Sequence, residues 1–315
     1  MTFVINSPLT GNADVKKVGM LTRGDIISLY KKQAGIDVTR FFVTTPVINI
    51  YECNETCYRF YHPGCIIGDE KLYEELQFKG IENKQGYYRV NQFDHKYADS
   101  EIDEGEHVLE IGCGDGSFLK SLMGKTKNIT GIELNANAAQ LCRKNGIEVY
   151  NELIEAHSVK RYCYYDAICC FQVLEHIYDV KVFIFNSLKA LKTGGKFIIS
   201  VPNNEPYFLR YNKYETFNLP PHHMGLWNEK VFKKLENLFP VELKKIIYSD
   251  SYSWKADVYY RAKNWANIKS LINQHTTWEK FRIGLLIPFS TVLTLVDKAR
   301  NKIHGGQLCV LFEKK

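Results

Sequence analysis

The run Val108-Leu109-Glu110-Ile111-Gly112-Cys113-Gly114-Asp115-Gly116-Ser117-Phe118-Leu119 confines this chain to a small set of folds. A short apolar stretch enters three glycines at alternate positions and leaves as a helix-forming segment. That order reads as a buried strand, a tight turn and a helix start. Glycine reaches backbone angles closed to other residues and lets a ligand approach the main chain. The helix that follows offers unpaired N–H groups and a positive dipole end. Spacing then decides the ligand. A dinucleotide site uses Gly-x-Gly-x-x-Gly, with phosphate on the helix end. Here Ser117 stands where the third dinucleotide glycine belongs, and Gly116 comes one position early. Glu110 before the turn and Asp115 inside it repel phosphate and suit a positively charged ligand.

The pattern Glu110-x-Gly112-x-Gly114-x-Gly116 resembles motif I of the class I S-adenosylmethionine (SAM) methyltransferases. Their cofactor carries a sulfonium and an ammonium group and no phosphate, in agreement with the charge pattern. Downstream, Asn128 to Leu134 reads as a second strand ending in Glu133. That acid lies about twenty residues past the first glycine, where a carboxylate can take both ribose hydroxyls of a nucleoside. Tyr165 to Ile177 reads as a further strand and turn, and its Val173-Leu174-Glu175-His176-Ile177 ending is similar to motif IV of one methyltransferase group. The resemblance implies that the backbone of Phe171, Gln172 and Val173 lies beside the sulfonium. It implies a cofactor-binding set of Glu110, Gly112, Cys113, Gly114, Gly116, Glu133, Leu134, Phe171, Gln172 and Val173. Glu175 and His176 are expected to cap and orient the next helix, with a catalytic His176 as the second reading.

Strands alternate with helices along this region. A helix is expected over 137–144, with Ala138, Leu141 and Cys142 inward and Gly146 as its stop. Another follows over 180–191, then a Thr193-Gly194-Gly195 turn and an apolar strand over 196–201. This rhythm predicts an α/β fold with a mostly parallel sheet covered on both faces. With the resemblance it becomes a Rossmann-like doubly wound seven-stranded sheet, with an N-terminal extension and a helical insertion before the last strand. Ligands in such sheets bind beyond the carboxyl ends of the strands, which places Gly112, Glu133, Gln172 and Asn203 on one rim. The expected divisions are 1–95, an extension or lid; 96–249, the SAM-binding core; 250–305, a helical insertion or cap; and 306–315, the final edge strand.

The 315 residues suffice for one substantial core with additions. A net charge of +6, spread along the chain with no arginine-rich tract, permits anionic partners without demanding nucleic acid. No apolar run reaches membrane-spanning length, and the first residues lack the basic-then-apolar order of a secretory signal. Nine cysteines, several in predicted core strands, fit a reducing cytoplasm.

Outside the core, Cys53, Cys57, His62 and Cys65 sit in a tyrosine-rich stretch. It looks like the second half of the small zinc module that precedes some sugar C-methyltransferases. The first cysteine pair is missing, and the remaining pair has three intervening residues instead of two. Four such ligands could close a tetrahedral zinc site. The altered spacing favours cysteines that pack as small apolar groups, so zinc is not favoured there and no metal ligand is assigned. This segment is expected to lean over the cofactor pocket.

The long aromatic loop after residue 202 ends in Pro220-Pro221-His222-His223-Met224-Gly225-Leu226-Trp227. It is similar to the segment of methyltransferases acting on sugars, polyketides and quinones in which a histidine faces the methyl group. An oxygen or carbon acceptor needs a base, and histidine suits that near neutral pH. His223 is the first candidate and His222 the second, one of the pair being structural; Glu205 and Tyr207 are secondary substrate contacts. Asn228 is expected to cap a helix carrying Phe232, Leu235 and Leu238. Helices are expected near 265–274 and 287–302, and the amphipathic 281–303 stretch could bury, dimerise or touch a membrane face. An Asn/Asp-Pro-Pro-Tyr run, a cysteine after proline and an acidic cluster near strands four and five are absent, which disfavours amino groups of bases, cytosine C5 and metal-dependent catechol chemistry. The expected function is methyl transfer to a sugar, nucleotide-sugar or glycan-related small molecule in carbohydrate biosynthesis. The alternatives are a lipid-like or quinone acceptor, or a SAM-binding protein without turnover.

Overall fold

A computed structural model of the chain describes residues 4–82, 93–204, 216–249 and 305–315. The N-terminal part contributes β1 (Val15–Thr22), α1 (Arg23–Gln33), β2 (Val47–Cys53), β3 (Arg59–His62) and α2 (Glu70–Glu82). Thr22 starts α1 with a reciprocal cap, its side chain accepting from Asp25 N while Asp25 accepts from Thr22 N. The strands form an antiparallel sheet in the order β1-β2-β3-β9, where β9 (Gly225–Leu226) arrives from far along the chain.

Next come α3 (Phe93–Glu101), β4 (Val108–Ile111), α4 (Ser117–Leu122), β5 (Ile129–Ile132), α5 (Ala136–Lys144), β6 (Glu148–Tyr150), α6 (Ile154–Lys160), β7 (Tyr165–Phe171), α7 (Val180–Ala190) and β8 (Leu191–Pro202). After β9 follow α8 (Glu229–Lys234), β10 (Val241–Tyr248) and β11 (Gln307–Lys314). The second sheet has seven strands in the order β10-β11-β8-β7-β4-β5-β6. β4 pairs in parallel with β5 on one side and β7 on the other, so the chain reverses its direction of winding at β4. This is the doubly wound α/β fold that the alternation predicts.

Every residue of β4 and β5 is buried. Alternate residues feed opposite faces: Leu109, Ile111, Ile168, Cys170 and Ile199 enter one apolar layer, and Val108, Ala167, Cys169, Phe171 and Ile198 the other. Period-two alternation with both faces covered explains why these strands read as continuous apolar runs.

Several local expectations change. The last strand is antiparallel as expected, yet it is not the edge: β10 bonds along its outer side, leaving β11 between β10 and β8. α5 begins at an Asn135 cap that accepts from Ala138 N, and it buries Ala139 and Cys142 while Leu141 faces solvent. Cys142 meets the glycine turn, since a Cβ on Gly116 would lie 2.9 Å from its Sγ. The expected turn at 193–195 is an outward excursion within β8. Pairing starts at Leu191 opposite Tyr165 and resumes at Lys196 opposite Ala167, with Gly194 at φ +75° between them. Asn228 caps α8 by accepting from Val231 N, as expected.

The two sheets share a seam. Tyr58, fully buried, packs its ring 4.7 Å from Trp227, which in turn lies 5.1 Å from Phe232 of α8. No helix among the described residues is long and apolar enough to cross a membrane. The helices expected over 265–274 and 287–302 lie outside the described residues, as do Glu205 and Tyr207.

Candidate active site

Gly112 follows β4, Glu133 follows β5, Gln172 follows β7 and Asn203 follows β8, each one residue past its strand. The four strands are consecutive and parallel in the order β8-β7-β4-β5, so the four residues share the carboxyl rim. Asn203 is spent on structure there, its backbone N and Nδ2 donating to the carbonyls of Gly306 and Gly305.

The glycine turn is left-handed three times over, with Gly112 at φ +75°, Gly114 at +56° and Gly116 at +74°. A Cβ on Gly112 would lie 2.4 Å from Val173 Cγ2. The first glycine therefore lets the β7 turn close against the β4 turn, whatever else it does. Glu133 holds the turn from the next strand: one oxygen accepts from Gly114 N at 2.9 Å, the other from Asn135 N at 2.7 Å. Beside it Leu134 is 58 % exposed, an unusual state for leucine at a strand end. Cys113 is buried, with its backbone N–H on the Ile132 carbonyl.

Glu110 is buried at 4 %, and one carboxylate oxygen has no hydrogen-bond partner. Burial, with Cys142, Asp115 and Glu133 nearby, holds its pKa well above the ordinary carboxylate range. A buried carboxyl lacking a partner among other acids is costly unless a donor or cation completes it. The ammonium and sulfonium groups of SAM meet that need, and a phosphate would not. The donor set thus fits the cofactor that the motif implies.

Gln172 adopts φ +53°, uncommon for a residue with a side chain. It is pinned twice, its backbone N donating to Ser200 O at 2.9 Å and its Nε2 to Ser200 Oγ at 3.2 Å. Ser200 in turn donates to Asp94 at the start of α3, at 2.5 Å. His95 extends the layer, its ring 4.8 Å from Phe171 and 5.2 Å from Phe118. Asp94 and Ser200 escaped the sequence reading, because neither belongs to a motif and only the fold joins α3 to β8.

The second half of the site is a cluster of histidines. His222 and His223 are buried and stacked, with ring centres 4.4 Å apart. His176 meets both edge-on at 4.7 and 4.8 Å. Each Nδ1 faces an oxygen: His176 on the His222 carbonyl at 2.6 Å, His222 on the Phe217 carbonyl at 2.9 Å, and His223 on Asn218 Oδ1 at 3.1 Å. Burial pushes all three pKa values down, His176 to about 4, His222 to about 3 and His223 well below the usual value. All three are neutral at pH 7; the facing oxygens assign the hydrogen of His222 and His223 to Nδ1, whereas His176 faces the carbonyls of both His222 and Gln172.

His176 and Glu175 do not cap α7. Its N-cap is Asp179, which makes no side-chain cap bond. Both residues instead tie the motif IV turn to the histidine loop, since Glu175 O accepts from Met224 N at 2.8 Å. The Glu175 side chain is buried, and burial raises its pKa to about 8.

The N-terminal part grips this loop from the other side. Tyr30 donates to Leu219 O at 2.8 Å, Tyr61 to Asn218 O at 2.9 Å, and Gly68 N to Pro221 O at 2.8 Å. Tyr73 of α2 packs on His176 and His222 at 5.6 and 5.8 Å. Cys53, Cys57, His62 and Cys65 do not converge. Among the described residues the one group of three or more potential metal ligands is His176, His222 and His223, and all nine cysteines are free thiols.

Residues 83–237 match the family model described as "Methyltransferase domain". Over 105 residues the chain is 30 % identical to the ubiquinone biosynthesis O-methyltransferase of Klebsiella pneumoniae, covering 31 % of this chain and 43 % of that protein. The protein of the same description from Nitrosomonas europaea matches at 30 %, covering 31 % and 45 %. The chain thus spans less than half the length of these relatives. Among solved structures, a SAM-dependent methyltransferase of Thermotoga maritima superposes with a TM-score of 0.49 and 15 % identity, over 78 % of this chain and 98 % of that one.

Proposed function

We propose that the chain, whose residues 83–237 match the methyltransferase domain model, transfers the methyl group of SAM to a hydroxyl of a small-molecule acceptor. The observation that carries this reading is the buried Glu110, with one carboxylate oxygen unpartnered, beside three left-handed glycines, a setting that favours a cation.

The cofactor supplies an electrophilic methyl carbon held by a positively charged sulfur. Glu133 and its anchored turn would take the ribose, exposed Leu134 would cover the adenine, and Glu110 would meet the cationic end. Phe171, Gln172 and Val173 close the β7 side, with Gln172 held in its left-handed conformation by Ser200 and Asp94. Most of the acceleration in such a transfer comes from alignment and exclusion of water. The remaining task is the acceptor proton. His223 is the proposed base: its Nδ1 hydrogen is committed to Asn218, which leaves the Nε2 lone pair to receive a proton. Burial opposes a charged imidazole, yet the positive charge that reaches His223 is the charge that leaves the sulfur, so the site's net charge does not change. His222 stacks on His223 and supports it through its own carbonyl anchor.

The likeness to ubiquinone biosynthesis O-methyltransferases supports a quinone-type O-acceptor. The Pro221-His222-His223-x-x-x-Trp227 run supports a sugar or nucleotide-sugar as the second reading. Calorimetry with SAM followed by S-adenosylhomocysteine release across hydroxylated quinol, phenol and nucleotide-sugar panels tests both. Heat with SAM and turnover on one panel is the expected result. Heat with a nicotinamide dinucleotide and none with SAM would overturn it.

A further inference from the structure

The amino-acid tail of SAM carries a carboxylate beside its ammonium group. Glu110 suits the ammonium, but the carboxylate needs a donor, and the glycine turn has committed most of its amides. The N–H groups of Gly112 and Cys113 donate to the Ile132 carbonyl, Gly114 to Glu133, Gly116 to the Cys113 carbonyl and Ser117 to Asp115. The carboxyl groups that act on Glu110, those of Asp115, Glu133 and Asp94, offer a carboxylate nothing. A carboxylate desolvated there without a hydrogen bond is costly, so the tail calls for a side-chain N–H.

His95 is placed to supply it. Its ring lies 4.8 Å from Phe171, the last residue of β7, and 5.2 Å from Phe118 in the first turn of α4, and those two rings are 4.9 Å apart. The imidazole therefore sits where the end of β7 meets the glycine turn, the same two segments that touch at Val173 and Gly112. It is half-buried, and among the described residues neither ring nitrogen has a hydrogen-bond partner; the bond that His95 makes runs from its backbone N to Asp94 Oδ1 at 3.0 Å. Burial pushes its pKa down, against the pull of Asp94 and Asp115, so the ring is neutral at pH 7 and carries one N–H. Both acids are already engaged, Asp94 by Ser200 and the His95 amide, Asp115 by the Ser117 amide.

We propose that His95 donates a ring N–H to the carboxylate of bound SAM, an inference that rests on the SAM reading above. With Glu110 on the ammonium, the tail is gripped at two points, which fixes the direction of the sulfonium and its methyl carbon. His95 then also sets specificity, because a sulfonium nucleoside without the carboxylate forfeits this bond.

The test is calorimetry on the full chain with two probes, SAM and decarboxylated SAM, which keeps the sulfonium and ammonium and lacks only the carboxylate. The wild type is expected to favour SAM by about 10- to 100-fold, the worth of a hydrogen bond to a charged group. His95→Phe keeps an aromatic ring against Phe118 and Phe171; it should lose that preference, binding SAM more weakly by the same factor and decarboxylated SAM as before. His95→Gln, which retains an N–H donor, should recover part of the preference. Circular dichroism shows that each variant folds. SAM affinity unchanged in folded His95→Phe overturns the inference, as does an equal loss for both probes, which would mean that the ring only packs. Wild-type chain that gives no heat with SAM sinks the SAM reading and this inference with it, whereas SAM heat that His95→Phe leaves intact sinks this inference alone.

Discussion

The two halves of the site are built by different means. On the cofactor side the main chain does most of the holding: three left-handed glycines and backbone amides that donate to Glu133, all within residues 110–135. On the acceptor side it is held by side chains and loops from remote segments. Tyr30, Tyr61 and Gly68 grip residues 218–221, which face the His176 turn. The first half is a local device and the second a tertiary one, so substitutions in the two should separate cofactor binding from turnover.

The largest separation is expected at His223. His223→Ala should lower kcat by about 10²- to 10⁴-fold, the usual worth of a positioned base, while calorimetric SAM affinity holds. Equal losses in both would show that the two halves are not independent. Gly112→Ala tests the other side. A left-handed alanine whose Cβ meets Val173 at 2.4 Å should lose SAM affinity by about 100-fold, with about 3 kcal/mol less stability in denaturant titration. Glu133→Ala removes the acceptor for Gly114 N and Asn135 N and should weaken SAM binding by about 10- to 100-fold, with little effect on kcat at saturating SAM.

Proton linkage gives a finer test. Burial holds the Glu110 pKa well above its unfolded value. Its contribution to stability is therefore fully present below about pH 4.5 and is lost as pH rises toward the folded pKa. A cationic ligand favours the ionised form, so SAM binding should release a fraction of a proton and tighten as pH rises, by at most about tenfold per unit. Calorimetry in two buffers of different ionisation enthalpy measures that release; proton uptake would contradict the role given to Glu110. The smallest effect is expected for Tyr30→Phe. Losing the bond to Leu219 O should cost about 1 kcal/mol of stability and lower kcat a few-fold, with SAM affinity unchanged.

The same contrast governs what could be read before the fold was known. Ser117 in place of a glycine and acids at 110, 115 and 133 are visible in the chain order, because strand, turn and helix there are neighbours in sequence. His222 and His223 could be singled out by residue type and by the length of their loop. Their grouping with His176, their Asn218 and carbonyl anchors, and the Asp94–Ser200–Gln172 chain could not, since each joins segments that meet only when the sheets are assembled. The cysteine segment shows the same limit: the altered spacing disfavoured zinc, but only the fold shows that Tyr58 and Tyr61 from that stretch pack Trp227 and hold the histidine loop.

By itself the sequence determined the doubly wound sheet, the acid-flanked glycine turn and the residues along its rim, because hydrophobic period and glycine conformation act over a few residues. Tertiary structure alone decided that β10 covers β11, that the N-terminal sheet clamps the histidine loop, and that three imidazoles converge. Those outcomes depend on which distant surfaces bury each other, and burial is settled only by the packed whole.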